Sequence, residues 1–263
     1  MNMIRLIYLI SFLTSGMFAF SQNLVPNYSF EEFVDCPYEV TSESKKELIP
    51  FWEMPTRGTS DYFNACAIFQ VNVPDNILGN MFAQDGNAYA GIVLIERPPS
   101  LVRVKKPLNY REYLQTELLR PLVKDKLYCI KFYFSIASYS TYAVNKIGLH
   151  ISDLKIGSIL NSKVLEVKPQ IELDTTNLII ERDYWHQVCD TFRACGDEKY
   201  ITIGNFYNDC ETYAEKLDCS IYRNSIQQTI NENKIAYYYI DVVSVVEIPD
   251  TTQNCCIDSY VIQ

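Results

Sequence analysis

Tyr128-Cys-Ile-Lys-Phe-Tyr-Phe-Ser-Ile136 alternates between apolar and more polar side chains over its whole length. In an extended chain successive side chains point to opposite faces. Ile130, Phe132, Phe134 and Ile136 therefore line one face, and Lys131, Tyr133 and Ser135 the other. That is the pattern of a half-buried strand. Lys146–Ser152 repeats it, with Ile147, Leu149 and Ile151 inward and Gly148 and His150 outward. Trp185–Phe192, Lys199–Phe206 and Ile235–Val246 read as further strands. Turn clusters at Lys124-Asp125-Lys126, Ala194–Asp197 and Asn205–Asn208 separate them. Tyr113–Leu119 fits strand or helix by periodicity, and the turn signals that follow Pro121 favour strand. Residues 211–233 form the best helix candidate, with an irregular insertion as the alternative. Many short strands without a βαβ rhythm predict an all-β, antiparallel β-sandwich.

Composition agrees with a globular chain. It has 263 residues, 48% of them apolar and 21% charged, with 23 basic and 32 acidic side chains for a net charge of −9. Nucleic-acid binding is excluded on this balance, because phosphates require clustered Lys and Arg. The only basic run is Arg103, Lys105 and Lys106. Twenty tyrosines against nine glycines are the unusual count, and they suggest a β-rich protein with wide half-polar sheet faces.

Residues 1–21 read as a secretory signal peptide: Arg5, an apolar run from Leu6 to Leu13, and the small-x-small site Ala19-Phe20-Ser21. The run is short for a membrane span, and no later stretch approaches one. After removal of the leader the chain is expected to be exported, in the periplasm, on the cell surface or outside the cell, and not membrane-spanning. A sandwich over residues 22–248 and a tail over 249–263 complete the domain reading. Nine cysteines suit an oxidising compartment, and no C-x-x-C occurs. Cys36–Cys66 is the best disulfide pair, since both residues sit in turn-rich segments, and Cys210–Cys219 is the second. Cys129, inside a strand pattern, is expected to be a buried thiol.

Three stretches carry a family resemblance. Asn23-Leu-Val-Pro-Asn-Tyr-Ser-Phe-Glu31 resembles the opening strand of galactose-binding-like jelly-roll modules, the carbohydrate-binding-module group, and Tyr238-Tyr-Ile-Asp-Val-Val-Ser-Val245 resembles their closing strand. Gly86–Ile92, Leu122–Phe134 and Trp185–Phe192 follow in the family's order. Ser60–Cys66, Tyr110–Gln115 and Lys199–Phe206 resemble a narrower set, exported Bacteroidota envelope proteins in which the module often precedes an OmpA-like or sorting domain. Two positions depart: Tyr28 stands where glycine is usual, and Val242 replaces a second aspartate. The resemblance implies a jelly roll with its first and last β-elements side by side. It also implies a non-catalytic module for glycan or another envelope component. The alternative is a protein–protein interaction subunit of an outer-envelope (secretion, gliding or OmpA-associated) assembly.

The same resemblance implies a structural Ca²⁺ between opening and closing strands, with Glu31, Glu32 and Asp241 as candidate oxygen ligands. Asp241 interrupts an otherwise apolar strand, where a carboxylate is costly unless partnered. Sugar faces pack on aromatic rings, so Tyr62, Tyr89, Tyr113, Tyr139 and Tyr142 are candidate ligand contacts, with Trp52 and Tyr207 also weighed. The two histidines, His150 and His186, stand apart in the sequence, and no hydrolase motif is present, so no catalytic residue is assigned.

Overall fold

The computed structural model describes residues 22–41, 49–97, 109–158, 160–173, 178–218, 234–252 and 255–256. The predicted leader and most of the tail lie outside them. The described residues contain strands and no helix. In chain order the strands are β1 (Trp52–Glu53), β2 (Asp61–Asn64), β3 (Asp75–Asn76), β4 (Gly79–Asn80), β5 (Ala88–Arg97), β6 (Tyr113–Glu117) and β7 (Leu127–Ile136). There follow β8 (Tyr142–Val144), β9 (Gly148–Ser152), β10 (Ile171–Glu172), β11 (His186–Arg193), β12 (Tyr200–Gly204), β13 (Ala214–Lys216) and β14 (Lys234–Ile248).

Two five-stranded antiparallel sheets form a jelly-roll sandwich, ordered β1-β6-β12-β9-β10 and β11-β7-β14-β5-β2. The alternation in β7 is realised: Ile130, Phe132, Phe134 and Ile136 enter the core between the sheets, with Leu149 and Ile151 of β9 and Ile201 and Ile203 of β12. β14 is the central strand of its sheet and is buried on both faces for most of its length. Its core-side residues Tyr238, Ile240, Val243 and Val245 join the main cluster. Its other face packs Tyr237 and Tyr239 with Phe63, Tyr89, Val71 and Leu78 in a second cluster.

The opening segment lies along β14. Leu24 N donates to Val245 O at 2.9 Å, and Val243 N donates to Tyr28 O at 2.9 Å. The Asn23 side chain donates to Val243 O and accepts from Val245 N. Between Asp241 and Ser244 the register of β14 against β7 shifts, and Val242 there has φ 48°. This bulge frees Val243 N from the β7 ladder, and it donates to the opening segment instead.

Two expectations need correction. Residues 211–218 form a turn and the short strand β13, paired with β8, in place of a helix; residues 219–233 lie outside the described part. Cys129 is bonded to Cys255, and Cys189 to Cys256, so Cys129 is no free thiol. Its side chain points away from the sandwich core, where a returning tail can reach it. Cys36 and Cys66 are bonded. Cys210 is exposed and unbridged, and its predicted partner Cys219 lies outside the described residues.

Candidate binding rim

The loop between β12 and β13 is built on a buried cation. Arg111 is 0% exposed. Its Nη1 donates to Tyr110 O at 2.7 Å and Asp209 Oδ1 at 2.8 Å, and its Nη2 donates to Tyr207 O at 2.7 Å. Burial pulls the guanidinium's pKa down, and Asp209 opposes that shift. Asn205 adds a second fixing point: its Nδ2 donates to Leu94 O and Thr212 Oγ1, and its Oδ1 accepts from Tyr207 N. Asn109 and Asp209 exchange two further hydrogen bonds. A loop with its turns satisfied from beneath is held in one conformation before any ligand arrives, which lowers the entropic cost of binding.

Above this base sit aromatic and polar side chains together. Tyr207 donates its hydroxyl to Glu172 Oε2 at 2.9 Å, while the Lys146 ammonium lies 4.2 Å from the ring centroid. Burial, then the Glu172 carboxylate, push its phenol up to about 12. Tyr213 is 57% exposed and donates its hydroxyl to Glu215 Oε2 at 2.5 Å. Asn145 ties β8 to this loop by accepting from Tyr213 N and donating its own N–H to Tyr213 O. Tyr142, on the β8–β13 ribbon, stacks under Arg97 with the guanidinium carbon 5.0 Å from its ring. Ring faces beside carboxylates, amides and an ammonium are the chemistry that a polyhydroxylated ligand requires.

Of the aromatic residues singled out from sequence, Tyr142 is half-buried on this ribbon and Tyr139 is half-buried in the neighbouring turn. Tyr62, Tyr89 and Tyr113 are corrected: all are at most 2% exposed. Tyr62 donates to Phe30 O, Tyr89 to Met81 O and Tyr113 to Asn205 O, so they are core residues with capped hydroxyls. Tyr113 thereby supports the rim loop from inside. Trp52 is also core, its indole N–H donating to Asn27 O. Sequence reading missed Tyr213, Lys146, Glu172 and Arg111. The Asn205–Asn208 turn was the available signal, because a polar turn flanked by tyrosines presents them at the surface.

The proposed cation ligands do not fit a metal. Both oxygens of Asp241 face N–H donors: Oδ2 accepts from Gln84 N and Asp85 N, and Oδ1 from Val242 N. Burial pushes this carboxyl well up, against the pull of those three donors. Glu31 accepts from Asn87 N, and the Glu32 side chain is exposed. Asp241 and Glu31 organise the 84–87 loop. Among the described residues the one cluster with ligand-like proximity is sulfur, at Cys129, Cys189 and Cys255, which are taken up in disulfides.

No family model matches the chain, and no curated protein matches it. Solved structures do show similarity. The K1 cleaved adhesin domain of Lys-gingipain from Porphyromonas gingivalis aligns with 13% identity and a TM-score of 0.38, over 82% of this chain and 94% of that one. The CBM22-1 xylan-binding domain of Paenibacillus barcinonensis Xyn10C aligns with 11% identity and a TM-score of 0.37, over 87% and 96%. TmCBM61, solved in complex with β-1,4-galactotriose, aligns with 12% identity and a TM-score of 0.37, over 87% and 100%.

Proposed function

We propose that the chain is an exported, non-catalytic binding module that holds a glycan across the Tyr207–Tyr213 rim. The observation that carries this reading is the pairing of ring faces with polar side chains on a loop fixed from below by buried Arg111. A sugar ring would lay its C–H face on Tyr207 or Tyr213, while Glu172, Glu215 and Lys146 take its hydroxyls. The three disulfides support an oxidising, extracytoplasmic setting. Polysaccharide pull-down and a glycan array test the proposal. The wild type retains a polysaccharide, and Tyr207→Ala with Tyr213→Ala loses at least about tenfold in affinity, roughly what one buried stacking contact supplies. The variant's thermal midpoint stays near that of the wild type. A silent array, or binding untouched by both substitutions, overturns the assignment; turnover of a chromogenic glycoside overturns the non-catalytic part.

A further inference from the structure

The outer face of the second sheet carries two apolar clusters with a polar strip between them. At one end Tyr237 and Tyr239 of β14 pack with Met81, and Ala83 and Trp185 lie alongside. At the other, Cys129 of β7 and Val246 and Ile248 of β14 pack with Cys255 and Cys256. Strand parity places Lys131 and Tyr133 of β7 on this face, in the gap. Their partners across the ladders are Cys189 and Gln187 of β11 and Ser244 and Asp241 of β14. Lys131, Tyr133 and Gln187 are half-buried, so solvent reaches the strip.

Two side chains there lack what their burial requires. Ser244 is 0% exposed, and its Oγ has no hydrogen-bond partner among the described residues. A buried hydroxyl left in that state is costly. Lys131 stands directly opposite, which puts the two Cβ atoms about 5 Å apart. Burial alone pulls the Lys131 ammonium's pKa down, with no acid opposing it. The acids of the surrounding elements are engaged or averted. Both Asp241 oxygens accept from N–H groups, of Gln84, Asp85 and Val242. Asp85 accepts from Tyr28 OH. Asp190 pairs with Ile130 and so belongs to the opposite face. Glu247 pairs with Tyr128, also on the opposite parity, and is bridged to Arg120 and Lys126.

An ammonium beside a hydroxyl, neither with an acceptor among the described residues, is complementary to a carboxylate. One row along the strands, about 7 Å away, lie the Tyr133 ring and the Gln187 amide. A ring with a polar neighbour is the surface on which a sugar settles. A peptide would find less here, because β7 is hydrogen-bonded to β11 and β14 on its two sides and offers no backbone edge. We propose that this strip binds an acidic saccharide, its carboxylate on Lys131 and Ser244 and its ring against Tyr133. The strip lies on the sheet opposite the one that carries β12 and the Tyr207 loop, so the proposal does not rest on the rim.

Isothermal titration of the chain from Gln22 onward with trigalacturonate, galactotriose and a sulfated galactotriose tests it. Trigalacturonate binds at least about tenfold more tightly than galactotriose, and the difference narrows as salt is added. Lys131→Met keeps the apolar stem, removes the charge and loses at least about tenfold in affinity, the scale of one charge-assisted hydrogen bond. Ser244→Ala also weakens binding. Because it deletes an unpartnered buried hydroxyl, its thermal midpoint does not fall, which keeps the test decisive should Lys131→Met fold poorly. Tyr207→Ala with Tyr213→Ala binds trigalacturonate as the wild type does. The proposal is overturned if trigalacturonate binds no better than galactotriose, or if the sulfated sugar binds more tightly than the carboxylated one. Wild-type binding in both strip variants, or loss in the rim variant alone, overturns it equally.

Discussion

At the scale of single residues, the informative groups are buried acids. Asp61 accepts from Tyr237 OH at 2.5 Å and Thr41 N at 2.6 Å, and Glu112 accepts from Tyr110 OH, Thr59 N and Val93 N. Burial, then the neighbouring Glu112 charge, push the Asp61 carboxyl up to about 7. Burial also raises Glu112. In the unfolded chain an aspartate titrates near pH ~3.9. Between those values the folded protein holds the additional proton, so stability falls as pH rises through that window. Asp61→Asn is expected to flatten that slope in urea titrations run from acid to neutral pH; an unchanged slope rules the explanation out. Gly86 is a second residue-scale case. It has φ 71°, and a Cβ there would press into the Glu31 carboxylate that holds Asn87 N. Gly86→Ala should cost about 1–3 kcal/mol from backbone strain and the lost contact. In a Glu31→Ala background the same substitution should cost measurably less, and equal costs in the two backgrounds would exclude the contact. Sequence marked Asp241 as a carboxylate needing a partner, and that was right. It could not show that the partners are backbone N–H groups of a loop over 150 residues away.

Among elements, β7, β9, β11, β12 and β14 were legible because each has enough residues for a period of two to repeat. β1, β3, β4 and β10 have two residues each and follow from tertiary pairing, which no local pattern encodes. The departure from the expected helix at residues 211–218 has the same origin: Ala214–Lys216 is a strand because β8 lies beside it. Disulfide reading succeeded where turn context was informative, at Cys36–Cys66. It failed at Cys129, where only the folded-back tail reveals the partner. Loop closure predicts that Cys36→Ser with Cys66→Ser costs about 3.6 kcal/mol, for a separation of 30 residues. Arg111→Ala is expected to cost about 3 kcal/mol by stranding Asp209 and two carbonyls. It should also abolish rim binding, which isothermal titration with the retained polysaccharide would read.

For the molecule as a whole, part of the tyrosine count is accounted for by the second cluster, on the face of β14 turned away from the main core. Tyr89, Tyr237 and Tyr239 pack under the 65–83 segment, each hydroxyl bonded to Met81 O, Asp61 or Asn76. A buried tyrosine requires such a cap, and Asn76 serves two of them. Composition exposed the surplus without showing which rings are inside. The ligand set described above predicts that the thermal midpoint is the same in Ca²⁺ and in EDTA; a rise with Ca²⁺ would require a cation site elsewhere.

The paired bonds from Cys255 and Cys256 also have a mechanical side. They run from consecutive residues to neighbouring strands, one to β7 and one to β11. Tension applied to the backbone beyond Cys256 would therefore enter the sheet through two covalent struts. It would bypass β14, which an unbraced tail would unzip one hydrogen bond at a time. With both struts cut by a reductant, single-molecule extension should record an earlier, gradual yield in place of one abrupt rupture.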